Sequence, residues 1–584
     1  MEEIYHKPSF NAHHDLVSYV LGHNDYDAFD DVLFDVSSEN PHRSISRWEA
    51  GECVLDVIRE LEKRESATGD AICVHIFNHV LYPLLFLGVL GAGCRFTGSN
   101  PAYTVAELTH HLRTSKASVI ITEKAHETVA RQAATECGIS PFNVVVLDTG
   151  TRVLNGERRE RTKHRFSGYL PWSSTSVFWR TLDEETAKIT PAILCSTSGT
   201  TGFPKMAVRT HHALIAEHQA LADSAPKDYE VRRLLPSPFF HAFTSPLALI
   251  DALKSGAKTY IMRRFDMDAF LTAVATHSIT EATLPPPVLV RLHSMPEERR
   301  AALKQMRLIW TGGAPLGAEA QNEMVKMFHP KARIVQVWGM TEGGWFTTFP
   351  YPECDDTGSV GRFIPGLEGK VIGEDGKEAA RGQRGEIAVR GPGIMTGYLG
   401  NEGATAEIFD ADGFMRTGDV GSISEDGKVY ILDRKKELIK VRGWQVAPQE
   451  LETRLLAHEH IVDAAVIGIP LPEEASEMPC AYVVCTHPWA THPAKIHEMQ
   501  KEIKMYLLKY LAKYKVGDCQ IRFVEAIPKN PTGKILKKVL RKLAEDEIAT
   551  DSSNNGVSGY FDCMISYIRY GIYCLWNPFG EGKL

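Results

Sequence analysis

The chain has 584 residues, enough for roughly four units at about 150 residues each. Its 43% hydrophobic and 24% charged residues exclude wholesale disorder, a collagen-like fibre and a small disulfide scaffold. A net charge of −8 excludes a generic binder of polyanions, so no nucleic-acid partner is expected.

The N-terminus, MEEIYHKPSF, is acidic and polar and is no secretory signal. The first long apolar run, Leu81 to Gly93 (LYPLLFLGVLGAG), falls short of the roughly 20 residues a membrane span needs. It reads as a buried core helix, and no transmembrane span is expected. Eleven cysteines form no C-x-x-C pair, which excludes a zinc ribbon or thioredoxin site. An odd number of them in a long chain suits a reducing compartment, and a cytoplasmic location is expected.

From about residue 68 to 360, strand-like runs alternate with helical patterns. AICVHIF (71–77), SVIIT (118–122), NVVVLD (143–148), KTYIM (258–262) and RLIWTGG (307–313) read as strands. RQAATECG (131–138) and AFLTAVATHS (269–278) read as helices. Such alternation predicts α/β architecture with parallel sheet. Between about 366 and 432 the strands shorten, and Asp-Gly turns stand at 375–376, 412–413 and 426–427. A small antiparallel β subdomain is expected there. Residues 434–549 carry a net +4 behind a body of −11, which marks a separate α+β module. Its expected elements are a helix at 448–458, strands at 463–469, 480–486 and 520–525, and a long helix at 494–512. DSSNNGVSG (551–559) reads as a flexible linker, followed by an aromatic-rich tail. The last three residues, Gly582-Lys583-Leu584, approach the peroxisomal address Ser-Lys-Leu.

One segment carries phosphate chemistry on its face. Ser196 to Lys205, STSGTTGFPK, follows the apolar Ile193–Leu194 and sets five hydroxyls among two glycines before a lysine. Gly199 and Gly202 admit close approach of backbone amides to an anion. The hydroxyls add donors and Lys205 adds charge. The string lacks a helix-opening GK[ST] and is no Walker loop.

This loop resembles the phosphate signature of the acyl-adenylate-forming superfamily of AMP-binding enzymes, with 4-coumarate–CoA ligase-like acyl-CoA synthetases nearest. Further motifs follow in that family's order: PFFHAF (238–243), TGGAPLG (311–317), QVWGMTE (336–342), GEIAVRGPGIMTGYL (385–399), RTGD (416–419), DRKKELIKVRGWQVAPQELE (433–452) and PKNPTGKILKKVLR (528–541). The resemblance covers roughly residues 40–547. It implies a large α/β N-terminal domain, 1–433, with several subdomains. A small mobile α+β C-terminal domain, 434–549, would follow, then a tail, 550–584, with no assigned role.

The implied reaction has two steps. A carboxylate attacks the α-phosphate of ATP to give acyl-AMP and pyrophosphate, and coenzyme A then displaces AMP. By resemblance, Thr197, Ser198, Gly199, Thr200, Thr201, Gly202 and Lys205 hold phosphates. Thr341 and Glu342 act at the reacting centre, Glu342 placing Mg²⁺. Gly313, Ala314 and Pro315 face adenine, and Trp338 stacks on it. Asp419 accepts from the ribose hydroxyls, and Arg434 completes the nucleotide contacts. Lys534, in NPTGK, is the adenylation lysine. Lys436 is the hinge, while Lys440, Arg442, Gly443 and Gln445 serve the thioester step.

His241, Phe243, Val337, Trp345 and Phe346 are expected around the acyl group. Phe243 stands where 4-coumarate ligases carry a tyrosine, and a phenyl ring cannot bond a phenol. A short apolar pocket for an aryl or medium-chain aliphatic acid follows. Met206 departs from the glycine usual after the Pro-Lys. An alternative reading is a stand-alone acyl-AMP ligase loading a carrier protein in trans. A binding module without activity is opposed by Lys534, Glu342 and the loop together.

Overall fold

A computed structural model of the protein describes residues 14–22, 26–36, 44–147, 179–197, 204–222, 225–314, 316–434, 437–441, 444–471, 476–486, 493–511, 513–530 and 533–553. Two large sheets form the body. The seven-stranded sheet runs Gly397–Tyr398, Met206–Thr210, Pro191–Ser196, Arg95–Gly98, Ala71–His75, Ala117–Glu123, Val144–Leu147. Its last five strands are mutually parallel and the two at the near edge are antiparallel. In the nine-stranded sheet the strands from Arg333–Met340 across to Asp31–Asp35 are parallel, and antiparallel strands close both edges. Parallel strands covered on both faces read as unbroken apolar runs, and all five residues of Ala71–His75 and of Leu308–Gly312 are buried.

The apolar run at 81–93 is a helix, Tyr82–Gly91, buried at every position. A Cβ on Gly88 would fall 2.5 Å from Val57, so the backbone itself packs against helix Arg47–Lys63. That partner helix starts on a capping box, Ser46 with Glu49, which satisfies amides at its first turn.

Strands Glu368–Ile372, Gly385–Arg390, Met415–Ile423 and Val429–Arg434 form the expected antiparallel subdomain. The three Asp-Gly turns place Gly376, Gly413 and Gly427 at φ +78°, +79° and +81°, a region that favours glycine. Beyond it, helix Pro448–Leu456, strands Ile461–Leu471 and Ser476–Cys485, helix Pro493–Tyr510 and strand Gln520–Phe523 match the reading of the basic region. Its apolar clusters draw only on residues from Ile439 onward. The last helix, Lys537–Ser553, runs three residues into the stretch expected to be linker. Residues 554–584 lie outside the described residues. Among those described, no helix is long and apolar enough to cross a membrane.

Candidate active site

Residues of five of the motifs, PFFHAF, TGGAPLG, GEIAVRGPGIMTGYL, DRKKELIKVRGWQVAPQELE and PKNPTGKILKKVLR, line a cavity of about 2970 Å³ between the body and the C-terminal unit. Phe240, His241, Phe243, Gly312 and Gly313 line it from the body, and Asn530, Gly533 and Ile535 from the C-terminal unit.

The glycine-rich loop leaves strand Pro191–Ser196 and returns through Met206–Thr210. Its stem is closed twice: the Thr197 amide donates to Lys205 O at 2.9 Å, and the Lys205 amide donates to Thr197 Oγ1 at 3.1 Å. Ser198, Gly199, Thr200, Thr201 and Gly202 lie outside the described residues. Met206 begins the returning strand and is buried beside Ala71, Leu194 and Val208. Its side chain therefore belongs to the core. Lys205 Nζ stands 4.8 Å above the ring of Tyr398.

Thr341 and Glu342 occupy the turn between strands Arg333–Met340 and Gly344–Thr348. Glu342 is buried and accepts from the Tyr398 hydroxyl at 2.8 Å on Oε1. Its Oε2 has no hydrogen-bond partner among the described residues. An accessible carboxylate oxygen on a buried residue, joined through Tyr398 to Lys205 of the glycine-rich loop, suits a hard cation such as Mg²⁺. Burial and the neighbouring Glu342 both push the Tyr398 hydroxyl well above its usual pKa, so it stays a donor.

Asp419 is also buried. Its Oδ2 accepts from Trp338 Nε1 at 2.8 Å, and Arg434 Nε lies 3.3 Å from Oδ1. Asp419 and Arg434 are paired neighbours on adjacent strands, which fixes that contact. Burial raises the carboxyl above the ordinary range, against the pull of Arg434 and Trp338. Gly313 sits at φ +80° with nothing within 4 Å of a notional Cβ, leaving a flat backbone face on the cavity. Pro315 lies outside the described residues, and Ala314 is half-buried beside it.

Lys534 reaches this site from the C-terminal unit. Its turn is held by Gly533 at φ +83°, by the Gly533 amide donating to Asn530 O at 2.9 Å, and by the Lys534 amide donating to Asn530 Oδ1 at 2.8 Å. Burial and then Arg434 bring its pKa down to about 8, with Glu437, Asp419 and Glu342 pulling the other way. Burial, and then Lys534, lowers His241 to about 4. His241 Nδ1 accepts from the Phe243 amide at 3.3 Å, so a neutral ring carries its hydrogen on Nε2. Lys205, Glu342, Asp419, Arg434 and Lys534 are thus linked into one charged cluster through Tyr398, the Asp419–Arg434 contact and the influence of Lys534's neighbours.

A family model described as AMP-binding enzyme matches residues 22–399, and one described as AMP-binding enzyme C-terminal domain matches 450–534. The chain belongs to the AMP-binding enzyme family. It is 38% identical over 546 residues to phenylacetyl-CoA ligase epaB of Aspergillus niger, covering 91% of this chain and 97% of that one. Acyl-CoA ligase azaF, also of Aspergillus niger, is 38% identical over 538 residues, covering 90% and 97%. ATP-bound MatB from Rhodopseudomonas palustris has the same fold, with a TM-score of 0.75, 27% identity, and coverage of 92% and 99%. The chain is accordingly an ATP-dependent acid–thiol ligase of the acyl-CoA synthetase class. The curated relatives carry CoA-ligase names and do not favour carrier loading.

In this AMP-binding enzyme the acyl side differs in part from expectation. Phe243 lines the cavity and stacks on Trp345, centroids 5.9 Å apart at 17°. Trp345 Nε1 donates to Phe243 O at 2.9 Å, and Trp310 meets Trp345 edge-on. Trp345 therefore backs the pocket wall. Val337 is buried in the same core, and its carbonyl lies where a Cβ on Gly312 would go. Phe346 corrects the reading. Successive strand residues face opposite ways, and Phe346 packs into the other core, edge-on to Trp338 at 5.1 Å. Trp338, expected against adenine, spends its N–H on Asp419 and is 7% exposed.

Lys440 and Gln445 are register partners on the ribbon Ile439–Val441 with Trp444–Val446. Arg442, Gly443 and Lys436 lie outside the described residues. Two site residues were not singled out in the sequence. Tyr398 lay within the GYL of a quoted motif and is a plain aromatic until its contacts are seen. Glu437, inside DRKKEL, is held below its usual range, burial being outweighed by Lys537, Arg434 and Lys534.

Proposed function

We propose that this ligase activates a compact aryl acid, with CoA as the thiol acceptor. The observation that carries the reading is the Phe243–Trp345 stack, closed behind by Trp310. A planar apolar wall without a hydroxyl suits an unsubstituted aromatic ring and offers a phenol nothing. The relative named phenylacetyl-CoA ligase supports the same class.

In the first step a carboxylate oxygen bonds to the α-phosphorus, and the bond to the pyrophosphate oxygen breaks. Lys534 would balance the charge building on the carboxylate and α-phosphate, and Lys205 would hold the departing pyrophosphate. His241 Nε2–H, without a hydrogen-bond partner among the described residues, would donate to the acid's second oxygen. Asp419 would accept from the ribose diol, oriented by Trp338 and Arg434. Bound Mg²⁺ would neutralise phosphate charge, and Glu342 Oε2, with Tyr398 fixing Oε1, is the ligand this chain offers. In the second step the thiol sulfur bonds to the acyl carbon, the acyl–phosphate bond breaks, and the thiol proton leaves to solvent. The region beyond Asp433 would act as a mobile domain turning at Lys436. The segment carrying Lys440, Arg442, Gly443 and Gln445 would then replace Lys534.

The test is acid-dependent AMP release with ATP, Mg²⁺ and CoA across benzoate, phenylacetate, 4-coumarate and octanoate. An aryl-CoA product, with kcat/KM for benzoate or phenylacetate at least about tenfold above octanoate, is expected. Preference for octanoate overturns the aryl reading. Pyrophosphate release without a CoA thioester overturns the acceptor.

A further inference from the structure

Two fully buried charges beneath the acyl pocket take no part in the steps above. Arg209, on strand Met206–Thr210, and Glu217, on helix His211–Leu221, are each 2% exposed. Arg209 NH2 donates to Glu217 Oε2 at 2.9 Å. The other carboxylate oxygen, Oε1, accepts from the Trp345 amide at 2.8 Å. Arg209 Nε donates to the Gly393 carbonyl at 3.1 Å.

The intervening turn lies directly on this carboxylate. Gly344 has φ +73°, and a Cβ there would fall 2.1 Å from Glu217 Oε1. No side chain fits, so residue 344 must be glycine for the turn to sit down. The same segment is held from the other side, where the Met395 amide donates to Glu342 O at 2.7 Å.

A buried ion pair is poor value as glue, because desolvation consumes much of its Coulomb gain and an apolar pair would hold helix to strand as well. What an apolar pair cannot do is direct hydrogen bonds to chosen backbone atoms. Here those bonds go to the main chain of Trp345 and of Gly393, two residues from Met395.

We infer that Arg209 and Glu217 form a positioning pair that sets the depth of the acyl pocket. Arg209 orients the carboxylate, and the carboxylate fixes the backbone of Trp345. The indole is thereby held flat on Phe243 and cannot retreat to admit a longer acid. The strap through Gly393 keeps Glu342 in register with that wall, so one buried pair aligns the acyl wall with the carboxylate beside the phosphate loop. This rests on the aryl-acid pocket proposed above.

The experiment compares two double variants that differ only in the acceptor for Trp345. Arg209→Met/Glu217→Gln keeps an amide oxygen there, and Arg209→Met/Glu217→Leu removes it. Acid-dependent pyrophosphate release is measured with benzoate, phenylacetate and 3-phenylpropionate. Ligand-free protein labelled with 5-fluorotryptophan is followed by fluorine NMR, the Trp345 signal being assigned with Trp345→Phe.

In the Leu variant the preference for the shorter acid over the longer should fall by about tenfold per added methylene. The change should be carried by KM for the acid, with the Trp345 signal shifted. The Gln variant, which keeps the acceptor without Arg209 to orient it, should move less than half as far on both readouts. A folded Leu variant with wild-type preference and an unmoved signal overturns the proposal, and so does a Gln variant that moves half as far as the Leu variant or further. Arg209→Met/Glu217→Met, of similar volume and without an acceptor, replaces a Leu variant that does not fold. Should the wild type turn over none of these acids, the aryl reading fails, while the fluorine signals still decide whether the pair positions Trp345.

Discussion

Trp338 donates its indole N–H to Asp419 Oδ2 at 2.8 Å, and this bond ties the nine-stranded sheet to the small β subdomain at the proposed nucleotide site. A hydrogen bond to a charged group is worth about 1.5–3 kcal/mol. Trp338→Phe keeps an aromatic ring and removes the donor. The KM for ATP in pyrophosphate release should rise by about tenfold or more, since about 1.4 kcal/mol is a factor of ten. Asp419, already raised by burial, should rise further, so the acid limb of kcat/KM should move to higher pH. An unchanged KM for ATP would show that Arg434 alone holds the carboxylate.

Lys534 enters the site only through the Asn530–Gly533 turn, so its removal should separate the half-reactions. Lys534→Ala should slow acyl-AMP formation by about 10²–10³, measured as pyrophosphate release. Thioester formation from supplied aryl-AMP and CoA should stay within a few-fold of wild type. Equal loss in both assays would place Lys534 in both steps.

The pH profile follows from the same lysine. With a pKa near 8, Lys534 is charged at neutral pH and loses its proton above that value. The kcat/KM for adenylation should fall about tenfold per unit above roughly pH 8. Bound phosphates favour the charged form, so kcat should hold to a higher pH. Lys534→Arg should be slower and should lack this alkaline limb up to about pH 10, because a guanidinium does not deprotonate there. His241, lowered to about 4, contributes nothing near neutrality. His241→Asn should leave the alkaline limb in place.

Much of this arrangement was legible because local chemistry marks it. The uninterrupted apolar run at 81–93 has no face to give water, and its helix is buried all round. The Asp-Gly pairs needed positive φ and have it. The ordered motifs named the family. Contacts across long stretches of chain left no such mark. Nothing adjacent to Arg209 or Glu217 signals that the pair ends on Trp345, 128 residues further on. Trp345 and Phe346 are neighbouring aromatics, and only the strand's direction decides which one faces the pocket. Trp338 looked like a base-stacking ring because the sequence shows its π face and not its N–H partner.

A second buried network governs stability rather than catalysis. Arg233 bridges Asp251 and Glu281, with Glu281 Oε2 at 3.0 Å. His218 joins Asp251 at 3.1 Å and Tyr19 at 2.9 Å. Lys227 joins Glu281 at 2.6 Å. Burial alone would raise both carboxyls, but Arg233, with His218 on one side and Lys227 on the other, holds both below their usual range. Carboxyls depressed on folding contribute stability that is present above their unfolded pKa of about 4 and is lost as pH falls below it. Wild-type melting temperature should therefore decline on acidification from about pH 5 downward. Arg233→Met leaves two buried carboxylates short of their shared cation, which should cost about 3–5 kcal/mol at pH 7. Its sign with pH should reverse. Without Arg233 the desolvated carboxyls titrate above their unfolded values, so protonation relieves them, and the variant should recover part of its melting temperature between pH 7 and about pH 5. Melting curves of both proteins over that range check this. A variant that loses stability in parallel with wild type would mean Lys227 and His218 suffice to keep both carboxylates charged.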